Sequence, residues 1–120
     1  VAAFVGRTII FMQHAKRKFV PALDYLTSPG WIDGPDGRRK AGLPGGGPDC
    51  VISDMAVMGF DDRTKRMMLR GCFPGVSETA VLDNMGFAID TSSAVEIPPP
   101  SVQELAILRE RCDPQRLILG

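Results

Sequence analysis

Apolar residues in this chain gather in a few short blocks separated by turn-forming stretches. The first block, over residues 7–13, is almost continuously apolar and predicts a strand covered on both faces. The basic string His14-Ala15-Lys16-Arg17-Lys18-Phe19-Val20 follows and predicts a short helical turn before Pro21, with a second extended piece over residues 24–27. Residues 50–60 predict one long strand and 66–72 another, joined as a hairpin by the polar residues 61–65. Ser77 is placed to cap a helix over 78–85, with Glu78 in the first turn, where the helix dipole favours a carboxylate, and Gly86 as the residue just past its end. A brief strand over 87–90 precedes Pro98-Pro99-Pro100. Ser101-Val102-Gln103-Glu104 then has the spacing of a capping box for a terminal helix over 101–112, with Leu105, Leu108 and Cys112 on one face. This order predicts an α/β fold: part of an open, mostly parallel sheet with flanking helices and a β-hairpin, some of whose strands lie outside these residues. On this reading the 120 residues are one portion of a larger domain.

One gap in the pattern is long. Residues 28–49 hold seven Gly and four Pro, including Gly34-Pro35-Asp36-Gly37 and Pro44-Gly45-Gly46-Gly47-Pro48, and predict a mobile loop with two turn signals. Loops of this length serve as functional covers or as mobile insertions, and the residues do not choose between them. Arg38, Arg39 and Lys40 are expected to be solvated within it.

Charge narrows the range of functions. Fourteen Lys and Arg balance fourteen Asp and Glu, so no overall field draws the chain to nucleic acid or to an anionic membrane. The balance is uneven along the sequence: residues 1–40 carry seven basic and three acidic side chains, the remainder seven and eleven. Any anion site is therefore expected near the N-terminal end. No apolar run approaches the roughly 20 residues of a membrane span. Three cysteines, Cys50, Cys72 and Cys112, with no C-x-x-C pair and only His14 as an imidazole ligand, argue against a zinc site or a disulfide framework. A reduced, cytoplasmic chain is the expectation.

Most chemistry-bearing residues have plain structural explanations. Glu78 and Glu104 are helix-start residues, and neither they nor Glu96 and Glu110 stand out as catalytic. Gly45-Gly46-Gly47 lacks the following Lys-Ser or Lys-Thr of a phosphate loop. Cys50 and Cys72 read as small buried hydrophobes, and His14 as a structural hydrogen-bonding group. Lys16, Arg17 and Lys18 differ. They place three cations just past a buried strand, where open α/β sheets bind ligands, and are the candidate anion-binding residues.

Several strings taken together resemble a known family. Thr8-Ile9-Ile10-Phe11-Met12-Gln13-His14, Asp24-Tyr25-Leu26-Thr27-Ser28-Pro29-Gly30, Cys50-Val51-Ile52-Ser53-Asp54-Met55-Ala56-Val57-Met58-Gly59-Phe60, Pro74-Gly75-Val76-Ser77 and Asn84-Met85-Gly86-Phe87 are similar, in order and spacing, to the later half of family I coenzyme A-transferase beta subunits of the glutaconate type. Glu104-Leu105, Arg109-Glu110 and Asp113-Pro114 continue the likeness. The resemblance implies a C-terminal portion of a beta subunit that works with an alpha subunit in a hetero-oligomer, on acyl-CoA and carboxylic acid substrates, with coenzyme A as substrate and no permanently bound cofactor. It also implies that the family's catalytic glutamate and its glycine-rich oxyanion segment lie upstream. No residue here is then catalytic, and the isolated chain is expected to be inactive. In related transferases a basic residue after this His lies near bound coenzyme A, and Arg17 has that spacing. Two other readings stay open: a same-family hydrolase that opens a ring on a CoA thioester, and a non-catalytic interaction module.

Overall fold

The computed structural model describes residues 2–44 and 46–118. Its centre is a five-stranded open sheet in the order β1-β2-β3-β4-β5, formed by Thr8–Phe11, Pro48–Ile52, Ala56–Phe60, Met67–Cys72 and Val95–Glu96. β1 runs parallel to β2 and β4 parallel to β5, while β2, β3 and β4 pair antiparallel. The sheet is thus open and mixed in equal parts, with the hairpin and flanking helices where the residue pattern predicts them and fewer parallel pairings than expected.

The core lies on one face of the sheet. Val51, Met58 and Leu69 stand opposite one another across β2, β3 and β4, and Ala56 stands opposite Cys72. Helix α2, Glu78–Asp83, covers this row with Val81, and Met85 and Phe19 complete the cluster. Met58, Leu69 and Val81 are fully buried, each worth about 1.5–3 kcal/mol by removal from water. Ser77 caps α2 by accepting the Ala80 N–H, as its position predicts. Helix α3, Val102–Ile107, begins with the expected capping box between Ser101 and Glu104 and continues as a π-helical turn over Leu108–Cys112.

Several expectations are corrected. Residues 50–60 are two strands, because the Ser53 hydroxyl accepts the Met55 and Ala56 N–H groups and folds the chain back between β2 and β3. Apolar residues on both sides of that turn disguise it. Residues 24–27 form no strand, and residues 87–90 contribute only a bridge from Asp90 to Met68. The two-residue β5 was not expected. Gly86 is not a left-handed helix terminator: its N–H donates to the Phe19 carbonyl at 2.7 Å, and a Cβ there would lie 2.5 Å from that oxygen. Close backbone approach is what requires glycine.

The glycine-rich stretch is the largest correction. It contains a short helix, α1, Gly37–Lys40, and Arg38 is not solvated but 3% exposed. The Arg38 guanidinium donates to the carbonyls of Pro29 and Gly30 through one nitrogen and of Ala3 and Pro44 through the other. Gly46, at φ +103°, packs against the Val5 and Gly6 carbonyls, and Trp31 donates to the Pro48 carbonyl. The segment is folded around a cation instead of an apolar centre. Arg39 and Lys40 are exposed, as expected, and Gly45 lies outside the described residues.

Apolar surface is left uncovered at both ends. On β1, Ile9 is 54% and Phe11 81% exposed, and Ile10 between them is also exposed, although the apolar run predicts cover on both faces. Val102, Leu117 and Ile118 are exposed along the C-terminal segment. The radius of gyration, 16.1 Å, exceeds the roughly 14 Å of a compact domain of this length.

Two outcomes are expected. Arg38→Ala removes the donor to four backbone carbonyls and should lower stability by about 1–3 kcal/mol, read by denaturant unfolding, with residues 28–47 becoming the first site of limited proteolysis. A polypeptide limited to these 120 residues should self-associate or bind a hydrophobic dye; a compact monomer across a sedimentation concentration series, without dye binding, would show that β1 needs no cover.

Candidate functional site

The carboxyl ends of the parallel strands β1 and β2 meet two loops, and the candidate cations lie on the first of them. Beyond β1, the Met12 N–H donates to the Ile52 carbonyl and extends the parallel pairing by one rung. The chain then turns through a single 3-10 turn, Lys16–Lys18, closed by the Lys18 N–H to the Ala15 carbonyl at 2.8 Å. This is the short helical turn that the sequence predicts. Lys16, Arg17 and Lys18 are all exposed, and none is engaged by a carboxylate within salt-bridge distance among the described residues.

What fixes the turn is the residue at each side of it. His14 is buried: its Nδ1 lies 3.0 Å from Ser53 Oγ and its Nε2 3.1 Å from the Val81 carbonyl in α2. A carbonyl can only accept, so Nε2 carries the proton, and in the neutral ring Nδ1 accepts from the serine hydroxyl. Ser53 has one hydroxyl hydrogen and two acceptors in reach, Nδ1 and the Ala56 carbonyl at 3.1 Å. That carbonyl already accepts the Ser53 N–H, so giving the hydroxyl hydrogen to His14 leaves no group unpaired. Phe19 closes the other side. Its ring packs against the His14 ring with centroids 4.6 Å apart, and its carbonyl accepts the Gly86 N–H. The three cations therefore project from a turn held between two buried rings, both of which also touch the elements around α2.

Asp54, at the tip of the β2–β3 turn, adds one negative charge. Its carboxylate accepts the His14 backbone N–H at 2.5 Å. That hydrogen bond, helped by the Asp54 backbone N–H, holds the Asp54 carboxyl below its ordinary value against a smaller opposing effect of partial desolvation. Sequence reasoning missed both Ser53 and Asp54. The signal was there: a polar pair in the middle of an otherwise apolar run.

The remaining candidates fall where their plain readings put them. Glu104 is bound to Ser101 in the capping box, which lowers its carboxyl, and Glu78 lies in the first turn of α2. Cys50 and Cys72 are buried, and burial pushes the Cys72 thiol up, away from reactive thiolate. No carboxylate among them stands at the basic turn. The arrangement can bind an anion; the described residues present no activated nucleophile there.

Comparison with known proteins gives this geometry a family. No protein-family model matches the chain. The beta subunit of glutaconate CoA-transferase from Acidaminococcus fermentans is 49% identical over 113 residues, covering 93% of this chain and 42% of that protein. The corresponding subunit of 3-oxoadipate CoA-transferase from Pseudomonas knackmussii is 33% identical over 110 residues, covering 91% and 42%. The crystal structure of glutaconate coenzyme A-transferase from A. fermentans superposes with a TM-score of 0.89 at 46% identity, over 98% of this chain and 46% of that one. The fold is that of a CoA-transferase beta subunit. By sequence the chain is similar to the glutaconate CoA-transferase beta subunit, and it spans less than half the length of the relatives it matches.

The central joint of the site gives a direct test. Ser53→Ala removes the partner of His14 Nδ1 and of two backbone N–H groups, and Ser53 is only 1% exposed. Unfolding of the variant should show a loss of about 1–3 kcal/mol; a change near zero would mean that the β2–β3 turn does not depend on the hydroxyl.

Proposed function

We propose that these residues form the C-terminal portion of the beta subunit of a coenzyme A-transferase, which moves CoA between an acyl-CoA and a carboxylic acid. The observation that supports this most is the likeness to the glutaconate CoA-transferase beta subunit, which covers 93% of the chain at 49% identity. The complete enzyme pairs this subunit with an alpha subunit in a cytoplasmic hetero-oligomer. Among the described residues no helix is long and apolar enough to cross a membrane. Coenzyme A is a substrate and not a resident cofactor.

Within that enzyme the chemistry is covalent, through an acyl anhydride and a glutamyl-CoA thioester. The glutamate comes from the part of the subunit outside these residues, so none of the carboxylates named above is the nucleophile. The contribution of this chain is recognition. Lys16, Arg17 and Lys18 meet the phosphates of coenzyme A, with the guanidinium of Arg17 offering paired donors and the lysines offering point charges. Because His14 and Phe19 hold the turn, little backbone freedom is lost when the anion binds.

Arg17→Ala in the assembled enzyme should weaken CoA binding by about 1–3 kcal/mol, as expected for one charge-assisted hydrogen bond. The loss should shrink as salt rises. Titration of CoA against wild type and variant at two salt concentrations checks this, and equal affinities would remove Arg17 from the site.

A further inference from the structure

The basic turn has a second layer of organisation, visible in where the His14 amide finds its partner. The β1–β2 pairing ends with the Met12 N–H on the Ile52 carbonyl, because β2 folds back at Ser53 and offers no further rung. The next inward-facing amide of this strand, that of His14, is met by the side chain of Asp54. A carboxylate oxygen thus takes the place of a missing strand carbonyl, one residue past the buried Ser53 that fixes the turn carrying it. Asp54 itself is exposed, and its hydrogen bond to the His14 amide sets its carboxylate two residues ahead of Lys16, at the start of the cationic turn. The same group fastens the start of the cationic turn and opposes its field.

We propose that Asp54 is the positioning residue of the Lys16–Lys18 turn, its carboxylate holding the turn in place through the His14 amide while its charge, set at the start of that turn, limits how tightly a phosphate is held. The inference rests on the CoA reading of the basic turn for the identity of the phosphate, and on the hydrogen bond alone for the fastening. An amide side chain can accept the same hydrogen bond through its carbonyl oxygen, so the two parts of the role separate chemically. Fastening needs only an acceptor. Limiting the affinity needs the charge, and suits a substrate that has to leave the site in every cycle.

The complete enzyme is compared with its Asp54→Asn and Asp54→Ala variants by two measurements, hydrogen exchange of the peptide covering residues 14–19 and binding of coenzyme A at low and high salt. In Asp54→Ala the 14–19 amides should exchange about tenfold faster, and CoA affinity should fall about three- to tenfold, because the loosened turn has to be ordered by the ligand. In Asp54→Asn exchange should match wild type, and affinity at low salt should rise about two- to fivefold, the gain vanishing at high salt. A purely structural role would not produce a salt-dependent gain. Unchanged exchange in Asp54→Ala overturns the fastening, and equal loss of affinity in both variants overturns the limiting charge. Inorganic pyrophosphate serves as a second probe, since it has the phosphate chemistry without the rest of the substrate. If pyrophosphate binding follows the variants while CoA binding ignores them, the CoA reading falls and the positioning role stands; if neither probe follows them, the positioning role falls.

Discussion

A single buried imidazole joins the pieces on which the site depends. His14 follows the end of β1, yet its ring nitrogens reach the β2–β3 turn and a carbonyl near the end of α2, and its face packs on Phe19. Three elements separated by up to 67 positions in sequence are thereby fixed to one ring. Buried polar groups are costly unless fully paired, so this joint has few alternative arrangements. An apolar side chain of similar size would fill the space without specifying which carbonyl or hydroxyl lies where. The exposed cations inherit that definition: they are mobile side chains on a backbone that is not free to move.

The sheet shows a different economy. Its buried face is an ordinary cross-strand row capped by α2, whereas β1, at the edge, has exposed apolar side chains at consecutive positions. Consecutive positions on a strand face opposite ways, so one covering layer does not suffice for them. The relatives it matches are more than twice as long, and on the proposed reading a second layer and further strands come from the rest of the subunit. The proposed function follows the same division, with recognition of an anion on this portion and the reacting group elsewhere.

Much of this was legible from residue pattern. Ser77 and the Ser101–Glu104 box announced helix starts because capping is a local hydrogen-bond problem, solved within four residues. The basic turn after β1 was equally local. Arg38 and the Ser53 turn were not, for two physical reasons. A buried arginine whose partners are all backbone carbonyls leaves no complementary acidic residue in the sequence to betray it, and a serine that turns a strand with its own hydroxyl needs neither Gly nor Pro. Asp54 escaped notice for a third reason: its role is defined by an amide 40 positions away.

The guanidinium at the centre of residues 28–47 has a consequence for how that segment tolerates change. Every acceptor it binds is a main-chain oxygen, a group that all amino acids carry alike. An apolar core constrains each contributing side chain by volume, but this arrangement constrains the path of the backbone and is nearly blind to what hangs from it. Outside Arg38, Trp31 and the glycines that let the chain approach itself, the surface of the segment is therefore free to vary in composition while its shape stays the same. It is a mounting whose outward face can be rewritten without refolding what lies beneath.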